Sequence, residues 1–187
     1  LLHSPTYIGF TGALNNNGYH IVHSPLRKDE QNIWRMDFED MEKKIAEQHI
    51  HAAIFCSPHN PAGRVWEKWE IEKAMELFQR YDVYVISDEI WSDLILEGHR
   101  HIPPTSVSED AKNRTVALYA PSKTFNLAGL AFSCISIPDA QRRERFDAMA
   151  ARYGQTRPTF FAPWPPRRPG TAGRTGWTRS SSWSSWW

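Results

Sequence analysis

From Tyr19 to about Arg152 the chain alternates between two patterns of apolar and polar positions. Five short apolar runs, rich in Val and Ile and bounded by turn residues, predict strands: YHIVHS (19–24), HAAIFCS (51–57), DVYVIS (82–87), TVALYA (115–120) and AFSCISI (131–137). Between several of them lie segments of helical period. In DFEDMEKKIAEQ (37–48), Phe38, Met41 and Ile45 fall on one face, and Asp37 is placed to cap the first turn. In EKWEIEKAMELFQRY (67–81), Trp69, Ile71, Ala74, Met75 and Phe78 make an apolar stripe beside a charged face. RRERFDAMAARY (142–153) predicts a third helix, entered after Pro138. Near-continuous apolar strands separated by helices are what a parallel sheet covered on both faces requires. The expected class is α/β, with a mostly parallel sheet flanked by helices.

Composition adds limits rather than a function. With 187 residues, 41% hydrophobic and 23% charged, the chain can bury the core of one globular domain. No apolar run approaches the length that spans a bilayer, and the opening LLHSPTYIGF has neither the basic region nor the cleavage site of a targeting peptide. The chain therefore reads as part of a longer cytoplasmic protein with no membrane partner. Cys56 and Cys134 both sit in apolar runs, where buried structural thiols are expected rather than a disulfide or a redox pair.

The net charge of +1 conceals an asymmetry. After Asp147 there is no acidic residue, whereas Arg152, Arg157, Arg167, Arg168, Arg174 and Arg179 are all basic. The same stretch carries Trp164, Trp177, Trp183, Trp186 and Trp187 in a Pro, Gly, Arg and Ser matrix without period. An arginine and aromatic tail that stacks on single-stranded nucleic acid has this composition. The abruptness of the change fits a shifted reading frame or a truncated gene better. Residues 159–187 are accordingly expected to be an irregular tail and not a native domain, and no nucleic-acid partner is expected.

Parallel α/β sheets bind ligands at the carboxyl ends of their strands. Three loops there are unusual: SPHNPAGRVW after HAAIFC, DEIWSDL after VYVIS, and PSKTFNLAG after TVALYA. Asp88, at a strand end, is expected to be partly desolvated, which costs an ionised carboxylate several kcal/mol unless something positive faces it. It could cap a helix or pair with an arginine such as Arg64. Lys123, between an apolar run and a loop of small residues, could be an ordinary lysine reaching solvent by its stem. Desolvated, it would lose its proton more readily and condense with an aldehyde. One cofactor satisfies both residues. Pyridoxal 5′-phosphate offers an aldehyde for a lysine, a ring nitrogen that wants a carboxylate, a phenolic oxygen that wants donors, and a phosphate.

The ordered motifs NPAG (60–63), SDEIW (87–91) and SKTFN (122–126) resemble the fold type I pyridoxal phosphate enzymes of the class I/II aminotransferase superfamily. More narrowly, SPTYIGF, NNGYHIV, MDFEDMEKKI, CSPHNPAGRVW, VISDEIWSDL and HIPPTS are similar to its MalY/PatB-type cystathionine β-lyase branch. The resemblance covers residues 1 to about 158 and implies a partial large cofactor-binding domain. It implies that Lys123 holds the cofactor and removes the substrate α proton, that Asp88 pairs with the pyridinium nitrogen, and that Asn60 donates to the phenolic oxygen. Tyr7 would stack on the ring, and Ser122 would touch the phosphate. Pro58 and Pro61 would stiffen their loop, and Gly63 would permit its turn. Trp91 stands where relatives often carry Tyr or His; its indole donor could reach the phenolic oxygen. No arginine follows the lysine in LAGLAFS, and the arginine expected to bind the substrate carboxylate lies beyond the resemblance.

The implied activity is a carbon–sulfur β-lyase acting on sulfur-containing amino acids, with an amino acid substrate and a homodimer as the whole protein. The alternatives are an aminotransferase of the same superfamily or an inactive truncated remnant. No GxGxxG follows a strand, and neither GxxxxGK[ST] nor GxSxG occurs. His99 and His101, like His49 and His51, have metal-like spacing, but no Cys or acid cluster completes a set, so solvated histidines and no metal are expected.

Overall fold

The computed structural model describes residues 1–130 and 132–153. Strand β1 (Leu2–Ser4) leads into helix α1 (Ile8–Asn16), strand β2 (His23–Pro25) and a small hairpin of β3 (Arg27–Lys28) and β4 (Trp34–Arg35). Then follow α2 (Phe38–Glu47), β5 (Ala52–Cys56), α3 (Lys68–Arg80), β6 (Tyr84–Asp88), α4 (Glu109–Arg114), β7 (Thr115–Tyr119), the short α5 (Pro121–Thr124) and β8 (Cys134–Ser136). The main sheet has six strands in the order β2-β1-β5-β6-β7-β8. Every neighbouring pair is parallel except β7 and β8. These elements form a first unit, Leu1–Ser136; α6 (Ala140–Arg152) belongs to a second that begins at Ile137. The tail predicted over residues 159–187 lies outside the described residues.

Local chemistry accounts for the helix starts. Asp37 accepts the Asp40 N–H at 3.1 Å, Ser108 accepts that of Ala111 at 3.0 Å, and Asp139 accepts that of Arg142 at 2.7 Å. Each supplies an oxygen to an amide that the helix itself cannot satisfy. Strand β1 escapes the apolar pattern because it is three residues long and two of them are His3 and Ser4. The run 19–24 is corrected for the same kind of reason: only its last two residues join β2, which continues to Pro25.

The core forms where one face of the sheet meets α2, α3 and α4. Ala53 and Phe55 of β5 and Val85 of β6, with Val83 just before it, bury against Met41 and Ile45, against Ile71, Ala74, Met75 and Phe78, and against Ala111. Alternation sends the intervening side chains to the other face, where Tyr84 is 42% and Ile86 37% exposed. The sheet is mostly parallel and flanked by helices, as expected, and on this second face the described residues of the unit leave Tyr84 and Ile86 partly in water. The runs look continuously apolar because both sets are apolar, yet α1 contributes no buried residue. Trp69 also leaves the predicted stripe. It is 47% exposed, donates its indole N–H to Glu67 at 2.8 Å and packs against Phe38. Cys56 is buried and Cys134 half-buried, both as free thiols.

Two histidines are built into this core. His3 and His59 pack around Trp66, with ring centroids 6.4 Å and 5.5 Å from it. Burial, reinforced at His3 by its neighbour His59, lowers His3 to about 3, and burial lowers His59 to about 4.

Phe78→Ala should cost about 3–5 kcal/mol in chemical denaturation, with Trp69→Ala clearly milder; equal losses would contradict the inward and outward assignment. A second test uses pH. Unfolded histidines take up protons below the ordinary 6.5, whereas the folded ones resist to about 3 and 4, so stability should fall as pH drops from 6.5 toward 4. His59→Gln should flatten that slope in melts run across the range, and an unchanged slope would refute the assignment.

Candidate active site

Because β5, β6 and β7 are adjacent and parallel, their carboxyl ends emerge side by side. Cys56, Asp88 and Leu118 stand abreast in the register, and the three unusual loops leave from that line. A cavity of about 310 Å³ opens there. Tyr7, Asn60, Asp88, Trp91, Ser122 and Lys123, the six residues singled out in the sequence, all line it. Phe10 and Cys56 line it too; both lie in segments that carry the resemblance, but no role was assigned to Phe10, and Cys56 was expected to be a structural thiol.

Asp88 ends β6 partly buried. Its Oδ1 accepts the Ile90 N–H at 3.1 Å, a local turn that holds the carboxyl group at the strand end. Burial pushes this carboxyl group up from its ordinary range, and the charge of Glu89 adds to that, against the Ile90 bond. Arg64 does not pair with it. That guanidinium is held by Glu70 and by Glu67, at 3.7 Å from the latter. The helix-cap reading of Asp88 is likewise replaced by the turn to Ile90, because no helix starts there.

Asn60 comes from the loop after β5. The peptide bonds Ser57–Pro58 and Asn60–Pro61 are cis, and Gly63 takes a φ of +67°, a backbone conformation that glycine adopts without steric cost. Cys56 ties the loop to its strand, its thiol donating to the Pro58 carbonyl at 3.2 Å and its sulfur receiving the Asn60 N–H at 3.5 Å. Burial pushes this thiol up to about 12, so it packs as a thiol and not as a nucleophile. Tyr7 precedes α1, its ring 5.5 Å from that of Phe10 at 86°. The ring lies across Gly9, where a Cβ would come within 2.3 Å of Tyr7 Cε1; the missing side chain makes room for it. A second cavity, of about 540 Å³, adjoins the first along Asn60 and Trp91.

Of the two readings left open for Lys123, the structure has the exposed one, and the expectation for His101 needs correction. Lys123 is exposed, because α5 is a single turn at the cavity rim and its neighbours Phe125 and Leu127 are themselves 63% and 40% exposed. Its Nζ lies 5.2 Å from the centroid of the Trp91 ring, so the indole supplies a cation–π contact to the lysine. His101, expected to be solvated, is buried and bonded to Glu89. His49, His51 and His99 are exposed, and among the described residues no group of His, Cys, Asp and Glu is arranged to hold a metal. Glu89 itself escaped the sequence reading, since only its adjacency to Asp88 marks it.

The sequence pattern of aminotransferase class I and II matches residues 1–162. Among curated relatives, cystathionine β-lyase PatB of Bacillus subtilis (strain 168) is 44% identical over 150 residues, 80% of this chain and 38% of the relative. Protein MalY of Escherichia coli (strain K12) is 31% identical over 163 residues, 87% of this chain and 41% of the relative. Among solved structures, cystalysin from Treponema denticola, which contains a pyridoxal 5′-phosphate cofactor, superposes with a TM-score of 0.76 at 37% identity, over 80% of this chain and 38% of that one. The chain thus spans about two-fifths of the length of the relatives it matches.

A raised carboxyl pKa means that the ionised form of Asp88 costs folding free energy, a cost absent at acid pH and present once pH exceeds the folded-state value. Asp88→Asn keeps an oxygen for the Ile90 N–H and removes the charge. The variant should melt above the parent at pH 7, with the gap closing on acidification. A parent that melts higher at both pH values would overturn this account.

Proposed function

The chain belongs to the class I and II aminotransferase family, and from that membership and the cavity just described we propose that it forms the cofactor-binding part of a pyridoxal 5′-phosphate-dependent carbon–sulfur β-lyase. The observation that carries the reading is the convergence of Asn60, Asp88 and Lys123, from three successive strand ends, on one cavity with Tyr7, Trp91 and Ser122. The donor set suits the cofactor group by group: an amine for its aldehyde, a carboxylate for its ring nitrogen, an amide for its phenolic oxygen, a hydroxyl for its phosphate and an aromatic ring for its face. When bound, the cofactor supplies an electron sink for the carbon from which a proton is removed.

The protein's own groups do the rest. Lys123 would hold the cofactor through Nζ, and the same nitrogen, when free, would be the base that takes up the substrate α proton. For that the amine would have to give up its proton, against the cation–π contact with Trp91 that lies at the cavity mouth. Asp88 holds the ring-nitrogen proton; with Oδ1 engaged by Ile90, Oδ2 is the oxygen left for that contact. Its burial makes a cationic partner more favourable than water, because a desolvated carboxylate gains most from an opposite charge. Asn60 orients the phenolic oxygen, Tyr7 packs on the ring and Ser122 donates to the phosphate.

The substrate class is sulfur-containing amino acids of the cystathionine type. Identity to PatB at 44% favours this over the aminotransferase reading, which would use the same residues up to proton removal. We infer that the whole enzyme works in the cytoplasm as a homodimer. The exposure of Tyr7 at 48%, Ile8 at 79% and Phe125 at 63% beside the cavity supports a further surface closing over it.

Titrating the chain with pyridoxal 5′-phosphate should produce the visible absorbance of lysine-bound cofactor, and borohydride reduction with peptide mapping should place the label on Lys123. Lys123→Ala should abolish the band; retention of the band would remove Lys123 from its role. For the whole enzyme, release of thiol from cystathionine without consumption of a keto acid supports the lyase, and the reverse pattern rejects it.

A further inference from the structure

Two glutamates are buried in the first unit, and they are compensated differently. Glu70 meets arginines, Arg64 and Arg35. Glu89, 1% exposed, forms no ion pair with arginine or lysine among the described residues. Its Oε1 accepts the Ser87 hydroxyl at 2.9 Å, and its Oε2 accepts the Tyr119 hydroxyl at 2.8 Å and meets His101 Nε2 at 2.7 Å. Its backbone N–H donates to the Leu118 carbonyl at 2.9 Å.

We propose that Glu89 is a positioning residue: it ties the turn carrying Asp88 to the strand end that launches Lys123, and acts on the cofactor's ring nitrogen through the charge it places behind Asp88. The proposal rests on the assignment of Asp88 to that nitrogen.

The geometry carries the argument. Asp88 and Glu89 are consecutive, and Tyr119 stands two residues before Pro121, where α5 begins. One buried side chain therefore spans the two strand ends whose residues must face a single ligand, and its own amide repeats the link. A buried carboxylate compensated only by neutral donors and a histidine is an expensive way to join two loops, since an apolar pair of the same shape would avoid the desolvation cost. What the carboxylate adds over an apolar pair is negative charge next to Asp88. The side chains around it face it as donors. Burial, followed by Glu89 itself, pushes the Tyr119 phenol up, so it remains a donor. Among the described residues His101 Nδ1 has no hydrogen-bond partner, so the tautomer with its hydrogen on Nε2, facing Glu89, is the one that uses a bond. The other titratable groups that line the cavity with Asp88, among the described residues, are Cys56, abreast of it on β5, Tyr7 and Lys123.

The test has two arms on the 187-residue chain. Without cofactor, the carboxyl resonance of Asp88, identified by its loss in Asp88→Asn, is titrated by carbon NMR. In Glu89→Gln its midpoint should fall, since a negative neighbour is gone; Tyr119→Phe should leave it in place while amide exchange at Glu89 speeds up about tenfold and exchange in α3 does not change. A folded Glu89→Gln whose Asp88 midpoint matches the parent overturns the proposal. Should Glu89→Gln fail to fold, Tyr119→Phe decides: exchange at Glu89 equal to the parent overturns it. In the second arm, Glu89→Gln should weaken pyridoxal 5′-phosphate binding about tenfold, roughly 1.4 kcal/mol. If the parent itself does not bind, the cofactor assignment fails, and the first arm still decides whether Glu89 governs Asp88.

Discussion

The parallel register of β5, β6 and β7 is the constraint on which the rest depends. Parallel neighbours point their carboxyl ends the same way, so the backbone hydrogen bonds that pair Cys56 with Asp88 and Asp88 with Leu118 also bring three loops to one line. No side chain in those loops needs to find another across the chain; the ladder delivers them. The antiparallel β8 changes this at the edge only, where it pairs with β7 beyond the loops that matter.

Around that line the electrostatics is one of controlled desolvation. Asp88 and Glu89 are neighbouring acids, one facing the cavity and one facing the interior, and burial acts on both through the cost of removing charge from water. The interior one is satisfied by Ser87, Tyr119 and His101, so it needs no ligand. The outer one has, among the described residues, the Ile90 amide as its hydrogen-bond donor, so a further partner would offset its desolvation. The opposite end of the cavity is open: Lys123 lies at the rim against Trp91, with the apolar Phe125 and Leu127 beside it also exposed. Among the described residues the cavity thus has a half-buried acid at one end and an exposed amine against an indole at the other.

The half-covered sheet tells the same story at the level of packing. Helices α2, α3 and α4 seal one face around Phe55, Trp66 and Phe78, all at most 1% exposed. The other face leaves Tyr84, Ile86 and Ile135 partly in water. Apolar strands bury well on two sides, and only one is filled by the described helices of this unit.

Much of this was legible in the residues. Apolar runs with turn residues at their ends marked four strands, because burial demands Val and Ile wherever a strand is covered. The spacing of Met41 and Ile45, and of Ile71, Ala74, Met75 and Phe78, marked two helix faces, because their turns repeat at a fixed angle. Asp88 and Lys123 stood out as charged groups at strand ends, whereas Asn60, Tyr7, Ser122 and Trp91 were marked by the resemblance of their motifs to the class I/II aminotransferase superfamily. What the residues could not reveal was decided by neighbours distant in sequence. Strand β1 exists because β2 and β5 flank it, not because LHS favours extension. Trp69 is half in water because its indole N–H bonds to the exposed Glu67 and its ring packs on Phe38, itself only partly buried. Lys123 stayed exposed and His101 became buried because solvent access belongs to the assembled surface and not to any local segment. Glu89 acquired its three donors from residues 2, 12 and 30 positions away, a convergence that only folding creates.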